Sequence, residues 1–271
     1  MAITIAITSG TGYFGSVYTQ TGAAGAGQWY ADEDPISGQT GSTYTMDAAN
    51  EGKRITYRTA SPAEESNPIH LFVPSDVPGT IVGWWDAARA DLLTLVSTKV
   101  SVWASKVGSL TLNQATDANR PSYSATGRNG LPAVVNTSGQ IMTANTPSAF
   151  PGGTNTHFLA SAAYASSAGT DYRVFFGWGS GTSGGQYRAH GKNNTGNRPL
   201  LLAISETLDT SKTYLNEDKL LSCVVTSAKQ DLMVDGGTPV TAALSPSTGT
   251  TTYANFGRGR SNDPRQWEGS V

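Results

Sequence analysis

Asn129-Gly130-Leu131-Pro132-Ala133-Val134-Val135, preceded by Arg120-Pro121-Ser122-Tyr123, is the stretch on which the fold turns. Asn-Gly is a turn signal, because both residues tolerate positive φ. The apolar run after it is short and β-branched, which suits a strand better than a helix. Upstream of Pro121 the chain is held extended. Working outward, the same grammar repeats. Val102-Trp103-Ala104-Ser105-Lys106 and the polar Leu112-Asn113-Gln114-Ala115 precede the stretch. Ile81-Val82-Gly83-Trp84-Trp85-Asp86 reads as a strand ending in an acid, and residues 87–95 can carry a helical turn. Downstream, residues 156–162, 172–178, 200–204, 220–226 and 230–234 read as further strands, with Asp235-Gly236-Gly237 as a hairpin turn.

The first part of the chain, to about Pro78, alternates on a shorter scale. Ile3, Ile5 and Ile7 alternate with Thr4, Ala6 and Thr8, so one face is apolar. Gln28-Trp29-Tyr30 and Ser42-Thr43-Tyr44-Thr45-Met46 are strands separated by the turn Asp34-Pro35-Ile36-Ser37-Gly38. Asp47 to Gly52 is a single helical turn, capped by Asp47 and closed by Gly52. In Lys53-Arg54-Ile55-Thr56-Tyr57-Arg58, Ile55 and Tyr57 point inward. No clear strand closes this part, because Ser61 to Pro68 is rich in Pro, Glu and Ser. Pro74, Pro78 and Gly79 bracket a linker.

Composition agrees. The 271 residues suffice for one large or two ordinary domains, and 38% are hydrophobic. Only 14% are charged, against about 25% in an average globular protein, with short polar residues in their place. A net charge of −2 gives nucleic-acid binding no electrostatic support. The single cysteine, Cys223, excludes an internal disulfide and a cysteine-built zinc site, and its apolar run makes it a small buried hydrophobe. Residues 1–8 lack the basic start of a signal peptide, and no apolar run is long enough to insert in a membrane as a helix.

Two resemblances follow from these motifs. Gln28-Trp29, Ile36-Ser37-Gly38, Ser42-Thr43-Tyr44, Asp47 to Gly52 and Ile55-Thr56-Tyr57 resemble the immunoglobulin-like modules of phage structural and bacterial surface proteins. Trp85-Asp86-Ala87, Trp103-Ala104-Ser105-Lys106, Asn113-Gln114-Ala115-Thr116, Arg120-Pro121-Ser122-Tyr123 and Asn129 to Val134 resemble, in order, the opening of laminin-G-like, concanavalin A-like jelly rolls. The resemblance implies an all-β chain: an immunoglobulin-like β-sandwich over residues 1–76, for attachment or spacing, then a concanavalin A-like (laminin-G-like) jelly roll over 80–271. Trp267 to Val271 looks like the start of the jelly roll's final strand. Three readings of the missing remainder stay open: an early end, a continuation, or a strand supplied by a neighbouring chain.

The motifs that carry chemistry are few. Jelly-roll glucanases place two carboxylates across a concave face, and no such array is present. Glu217-Asp218 and Glu64-Glu65 read as solvated acids outside alternating strands. His70, His157 and His190 are far apart in sequence, and no Gly-x-Ser-x-Gly elbow supports a triad. The glycine-rich run from Gly177 to Gly185 lacks the Lys-Ser/Thr of a phosphate loop. Such loops sit at the jelly-roll rim, where lectins bind sugar. Trp178, Tyr187, Arg188, His190 and Asn193 are therefore the candidate glycan-binding rim, beside the plainer reading of Trp178 as core and the rest as surface loop. Asp86, Asp171 and Asp235 are the acids that could ligate calcium, but Asp86 suits the cap of the turn after its strand and Asp235 its own hairpin, so no metal or cofactor is expected.

The resemblance implies a non-enzymatic bacteriophage virion protein, made in the host cytoplasm and placed on the surface of capsid or tail as a head decoration, fibre or tail fibre. Its expected partners are other virion proteins and host cell-surface glycan, in a homo-oligomer with a lean towards a trimer. Nucleic acid and membrane insertion are not expected. The alternatives are a bacterial surface or secreted carbohydrate-binding module cut from a longer protein, and an atypical glycoside hydrolase.

Overall fold

The computed structural model of the chain describes residues 2–10, 12, 14–23, 25–60, 63–70, 80–137, 139–152, 155–166, 173–180, 187–193, 198–202, 206–208, 215–243, 251–257 and 269–270. These residues form an all-β protein of antiparallel sheets, whose only helical pieces are single 3₁₀ turns at Ala90–Leu92, Asp117–Asn119 and Pro147–Ala149. The chain divides into two units, Met1–Ile81 and Val82–Val271. The linker residues Pro74, Pro78 and Gly79 lie outside the described residues.

Among the described residues the first unit has seven strands: β1 (Thr4–Ser9), β2 (Val17–Thr21), β3 (Gly27–Ala31), β4 (Asp34–Pro35), β5 (Thr43–Thr45), β6 (Ile55–Ala60) and β7 (Ala63–Glu65). They make two sheets, ordered β1-β2-β5 and β4-β3-β6-β7, around one core. Period-two alternation supplies that core: Ile3 and Ile5, Tyr18, Trp29, Tyr44, Ile55 and Tyr57 are all buried. Trp29 lies at its centre, with its ring centroid 5.8 Å from that of Tyr44 and 5.2 Å, edge-on, from that of Tyr57. Its indole N–H donates to Gly41 O at 3.0 Å, so the buried donor is satisfied. The turn after β5 is fastened by Asp47, whose Oδ1 accepts Asn50 N–H at 2.9 Å, and Gly52 closes it at φ 79°.

One expectation needs correction here. Glu64 and Glu65 sit on a strand, β7, at a sheet edge, while Glu64 stays half-buried and Glu65 exposed, in keeping with solvated acids. Glu65 pairs with Arg54 and Arg58, which also hold Glu33, and this ion cluster lets an acidic, proline-flanked segment join the sheet.

Among the described residues the second unit has sixteen strands. They begin with β8 (Leu93–Val96), β9 (Lys99–Ala104), β10 (Thr111–Asn113), β11 (Ser122–Arg128), β12 (Leu131–Asn136) and β13 (Met142–Ala144). The middle of the unit gives β14 (His157–Ala165), β15 (Arg173–Gly179), β16 (Tyr187–Lys192), β17 (Pro199–Leu202) and β18 (Glu206–Leu208). The last are β19 (Asp218–Val225), β20 (Lys229–Val234), β21 (Val240–Ala243), β22 (Tyr253–Phe256) and β23 (Gly269–Ser270).

A continuous hydrogen-bonded path runs β18-β17-β16-β15-β22-β13-β10-β9-β11-β12-β23-β14-β19-β20-β21, with β8 added on β9. The path folds back on itself, so that Trp103, Leu112, Met142, Phe176, Trp178 and Phe256 share one core with Val134, Ala163, Leu221, Cys223 and Leu232. At its two ends β17 and β18 come alongside β20 and β21. The Asn129-Gly130 turn joins β11 to β12 with φ values of 50° and 77°, and Asp235-Gly236 joins β20 to β21 at 53° and 70°. Those are the left-handed conformations that such dipeptides accept most easily.

Residues 81–86 are not a strand, contrary to the sequence expectation. Trp84 N–H is taken by Ser105 Oγ at 2.9 Å, and Trp84 O by Lys106 N–H at 2.7 Å, so the segment is tied to the end of β9 rather than to a ladder. Trp85 still reaches the core, stacked on Phe150 at 6.1 Å and donating its indole N–H to Trp103 O at 3.1 Å. Asp86 accepts Ala88 N–H at 2.9 Å, which is the turn-capping role read from the sequence.

Candidate functional site

Four of the five expected rim residues have described side chains, and all four are buried: Trp178, Arg188, His190 and Asn193. The side chain of Tyr187 lies outside the described residues, as do residues 181–186 of the glycine-rich run and Asp171. The rim expectation therefore needs correction in its geometry. It placed these groups at an open edge, whereas β15 and β16 lie in the interior and are covered on both faces. The cause is partly a β-bulge in β15 between Val174 and Phe176, which turns both Phe175 and Phe176 into the main core. Val174 and Ala189 form a separate small apolar cluster with Tyr253.

The four residues nevertheless have a shared setting. Trp178 packs on Phe150 and Phe176, and its indole N–H donates to Pro151 O at 2.9 Å. Arg188, His190 and Lys192 alternate along β16, so they share one face. That face points at β14 and β19. His190 Nδ1 lies 3.2 Å from Ser161 Oγ on β14, and the Arg188 charge is felt at Cys223 on β19. Asn193 closes the end of β16 by exchanging hydrogen bonds with Arg198, 3.0 Å from its own N–H and 2.9 Å to its Oδ1.

His157 and Ser161 on β14 are the members that sequence reasoning left out. His157 stands edge-on to Trp178 at 5.5 Å, and its Nδ1 is 2.9 Å from Asn155 O. The signal was available, since alternation along β14 puts His157, Leu159 and Ser161 on one face.

Burial sets the electrostatics. It pushes His190 down to about 3, with the His157 ring adding in the same direction. It also lowers His157 and Arg188, and raises the Cys223 thiol to about 12. His190 is thus a neutral imidazole at ordinary pH, and too weak a base to take a proton from Ser161. The Ser161–His190 contact is a part-buried hydrogen bond that ties β14 to β16. Among the described residues, no three His, Cys, Asp or Glu side chains converge as a metal site.

The outward surface of the same region has a different character. On β14 and β19, register pairs Phe158 with Val224, Ala160 with Ser222 and Ala162 with Leu220, all facing away from the core. Phe158 and Leu220 are 58% and 50% exposed, so this stretch of the face is largely apolar, bordered by Asp218 at the end of β19 and by Asp231 opposite Val224 on β20. Comparison of the sequence with protein-family models and with curated proteins returns no match.

Proposed function

We propose that this chain is a non-enzymatic structural protein of a bacteriophage virion, with an immunoglobulin-like module ahead of a concanavalin A-like jelly roll, working through protein–protein contact on the capsid or tail surface. The observation that carries this reading is the distribution of polarity in the second unit. Arg188, His190 and Lys192, the groups a catalyst or lectin would present, are sealed inside, while Phe158 and Leu220 face out. Supporting it are the ordered motifs from Trp85 to Val134, which belong to one antiparallel ladder and its flanking turns. Capsid stabilisation fits this distribution better than adhesion to host glycan, because sugar recognition needs an exposed platform with convergent polar groups.

The test is quantitative mass spectrometry of purified virions from the host that produces the chain, with a glycan array run on the isolated protein. The expected result is many copies per particle and no sugar bound. Absence from particles overturns the virion reading, and a specific glycan hit overturns the preference for stabilisation over adhesion.

A further inference from the structure

Asn129-Gly130 is the one Asn-Gly step in the sequence. Both residues are exposed, at the tip of the two-residue turn that joins β11 to β12. An asparagine side chain is protected from its own backbone mainly by the bulk of the residue that follows, which keeps the next peptide nitrogen away from the side-chain carbonyl carbon. Glycine removes that protection, because it has no Cβ to stand in the path. The surroundings add no shield, since a Cβ at Gly130 would meet nothing within 4 Å. The turn thus offers an unhindered nucleophile, an amide and water together.

The fold sets a restraint on that chemistry. Asn129 Nδ2 donates to Asp218 Oδ2 at 2.8 Å, across 89 positions of sequence. Asp218 is the first residue of β19, where it pairs with Tyr164 of β14. The contact therefore ties the β11–β12 turn to a different part of the sheet. It also holds the amide, which must turn its carbon towards Gly130 N before any attack. A donor to a carboxylate keeps more electron density on its nitrogen, so the amide nitrogen is a poorer leaving group while the bond lasts.

We propose that Asn129 is a site of spontaneous covalent modification, restrained by Asp218, and that its conversion unfastens the β11–β12 turn from β19. Gly130 N bonds to Asn129 Cγ and gives up its proton, the Cγ–Nδ2 bond breaks, and the proton leaves with the nitrogen as ammonia. Water then opens the five-membered imide at either carbonyl, leaving aspartate or isoaspartate; nothing is oxidised or reduced. Either product sets a new carboxylate against Asp218 where an N–H had donated, with Glu217 next in sequence, so attraction becomes repulsion. Lys219, beside Asp218, is already engaged by Glu217 and Asp235. Isoaspartate also lengthens the main chain by one carbon inside the turn, which the Arg128–Leu131 pair must absorb. The inference stands on this turn and does not need the virion reading.

The purified chain is held in warm, mildly alkaline buffer beside its Asp218→Ala variant and a sample of wild type in urea. The peptide containing Asn129 is followed by mass spectrometry, with fragmentation that separates aspartate from isoaspartate. Folded wild type is expected to convert at Asn129 ahead of every other asparagine. D218A should convert about threefold to tenfold faster, the range that loss of one exposed hydrogen bond gives. The unfolded sample should also convert faster than the folded one. Hydrogen exchange over residues 131–136 and 218–222 is then read on Asn129→Asp, which carries the new charge from the start, and should be faster than in wild type by about threefold or more. Conversion at another asparagine first overturns the proposal. Equal rates in wild type and D218A, or in folded and unfolded wild type, overturn the restraint by Asp218. Unchanged exchange in N129D overturns the unfastening.

Discussion

Lowering the pH should weaken the second unit through His190, and replacing His190→Gln should remove that part of the response. In the folded protein burial holds this imidazole at about 3, against 6.5 for an exposed histidine. Above 6.5 both folded and unfolded chains are neutral at this position, and the site adds no pH dependence. As pH falls below 6.5 the unfolded chain takes up a proton while the folded one resists, so stability drops by about 1.4 kcal/mol for each pH unit until the folded group titrates. Between about pH 7.5 and pH 5 the loss assigned to His190 is about 2 kcal/mol. With a urea slope of about 3 kcal/mol/M, the midpoint moves down by about 0.7 M. The glutamine variant can still meet the Ser161 hydroxyl but cannot titrate, so its midpoint should move less by that amount. Following exchange of β16 amides against urea assigns the transition to the second unit. Parallel loss in both proteins, or an NMR titration of the His190 ring near 6.5, would refute the reasoning.

Three further outcomes follow from the packing. Trp29→Ala should cost about 3–5 kcal/mol, most of the stability of a unit this size, and should collapse exchange protection in β3 and β6; intact protection would show that the ring cluster is not the core of the first unit. Cys223 should not react with a thiol reagent at mildly alkaline pH until denaturant is added, when one equivalent reacts, because burial raises its thiol to about 12. Glu33→Ala should change thermal stability by less than about 1 kcal/mol despite its contacts to Arg54 and Arg58, because its side chain is 65% exposed; a larger loss in calorimetry would mean that the cluster acts as a network.

Much of the fold was legible because alternation and turn chemistry are local. Ile3, Ile5, Ile55 and Tyr57 were identifiable as core from period alone, and Asn129-Gly130 and Asp235-Gly236 as turns from the φ values they accept. What failed was set by distant partners. Residues 81–86 have strand composition, yet the Ser105 hydroxyl takes the Trp84 amide that a ladder would need. Glu64 and Glu65 have loop composition, yet they lie in a sheet, where Arg54 and Arg58 hold Glu65. The candidate site was the least legible part. Arg188, His190 and Asn193 are polar by type, and only the covering of β16 on both faces, a tertiary fact, shows that they are interior. Their neighbours Ser161 and His157 approach from a strand that no sequence spacing connects to β16.

The placement of β23 also orders events in time. Its partners Val135 and Tyr164 lie far back along the chain from Ser270, and β22 likewise joins β13 and β15 across long stretches of sequence. Pairings of such separation are slow to find, because a long loop must close before any contact rewards it. The middle of the ladder is thus sewn late, after synthesis has passed Ser270. Until then β12 and β14 wait with open edges, and a refolding chain at high concentration meets its own kind before it meets β23. Yield on refolding should therefore fall with concentration far more steeply for the second unit than for the first, whose neighbouring strands lie close together in sequence.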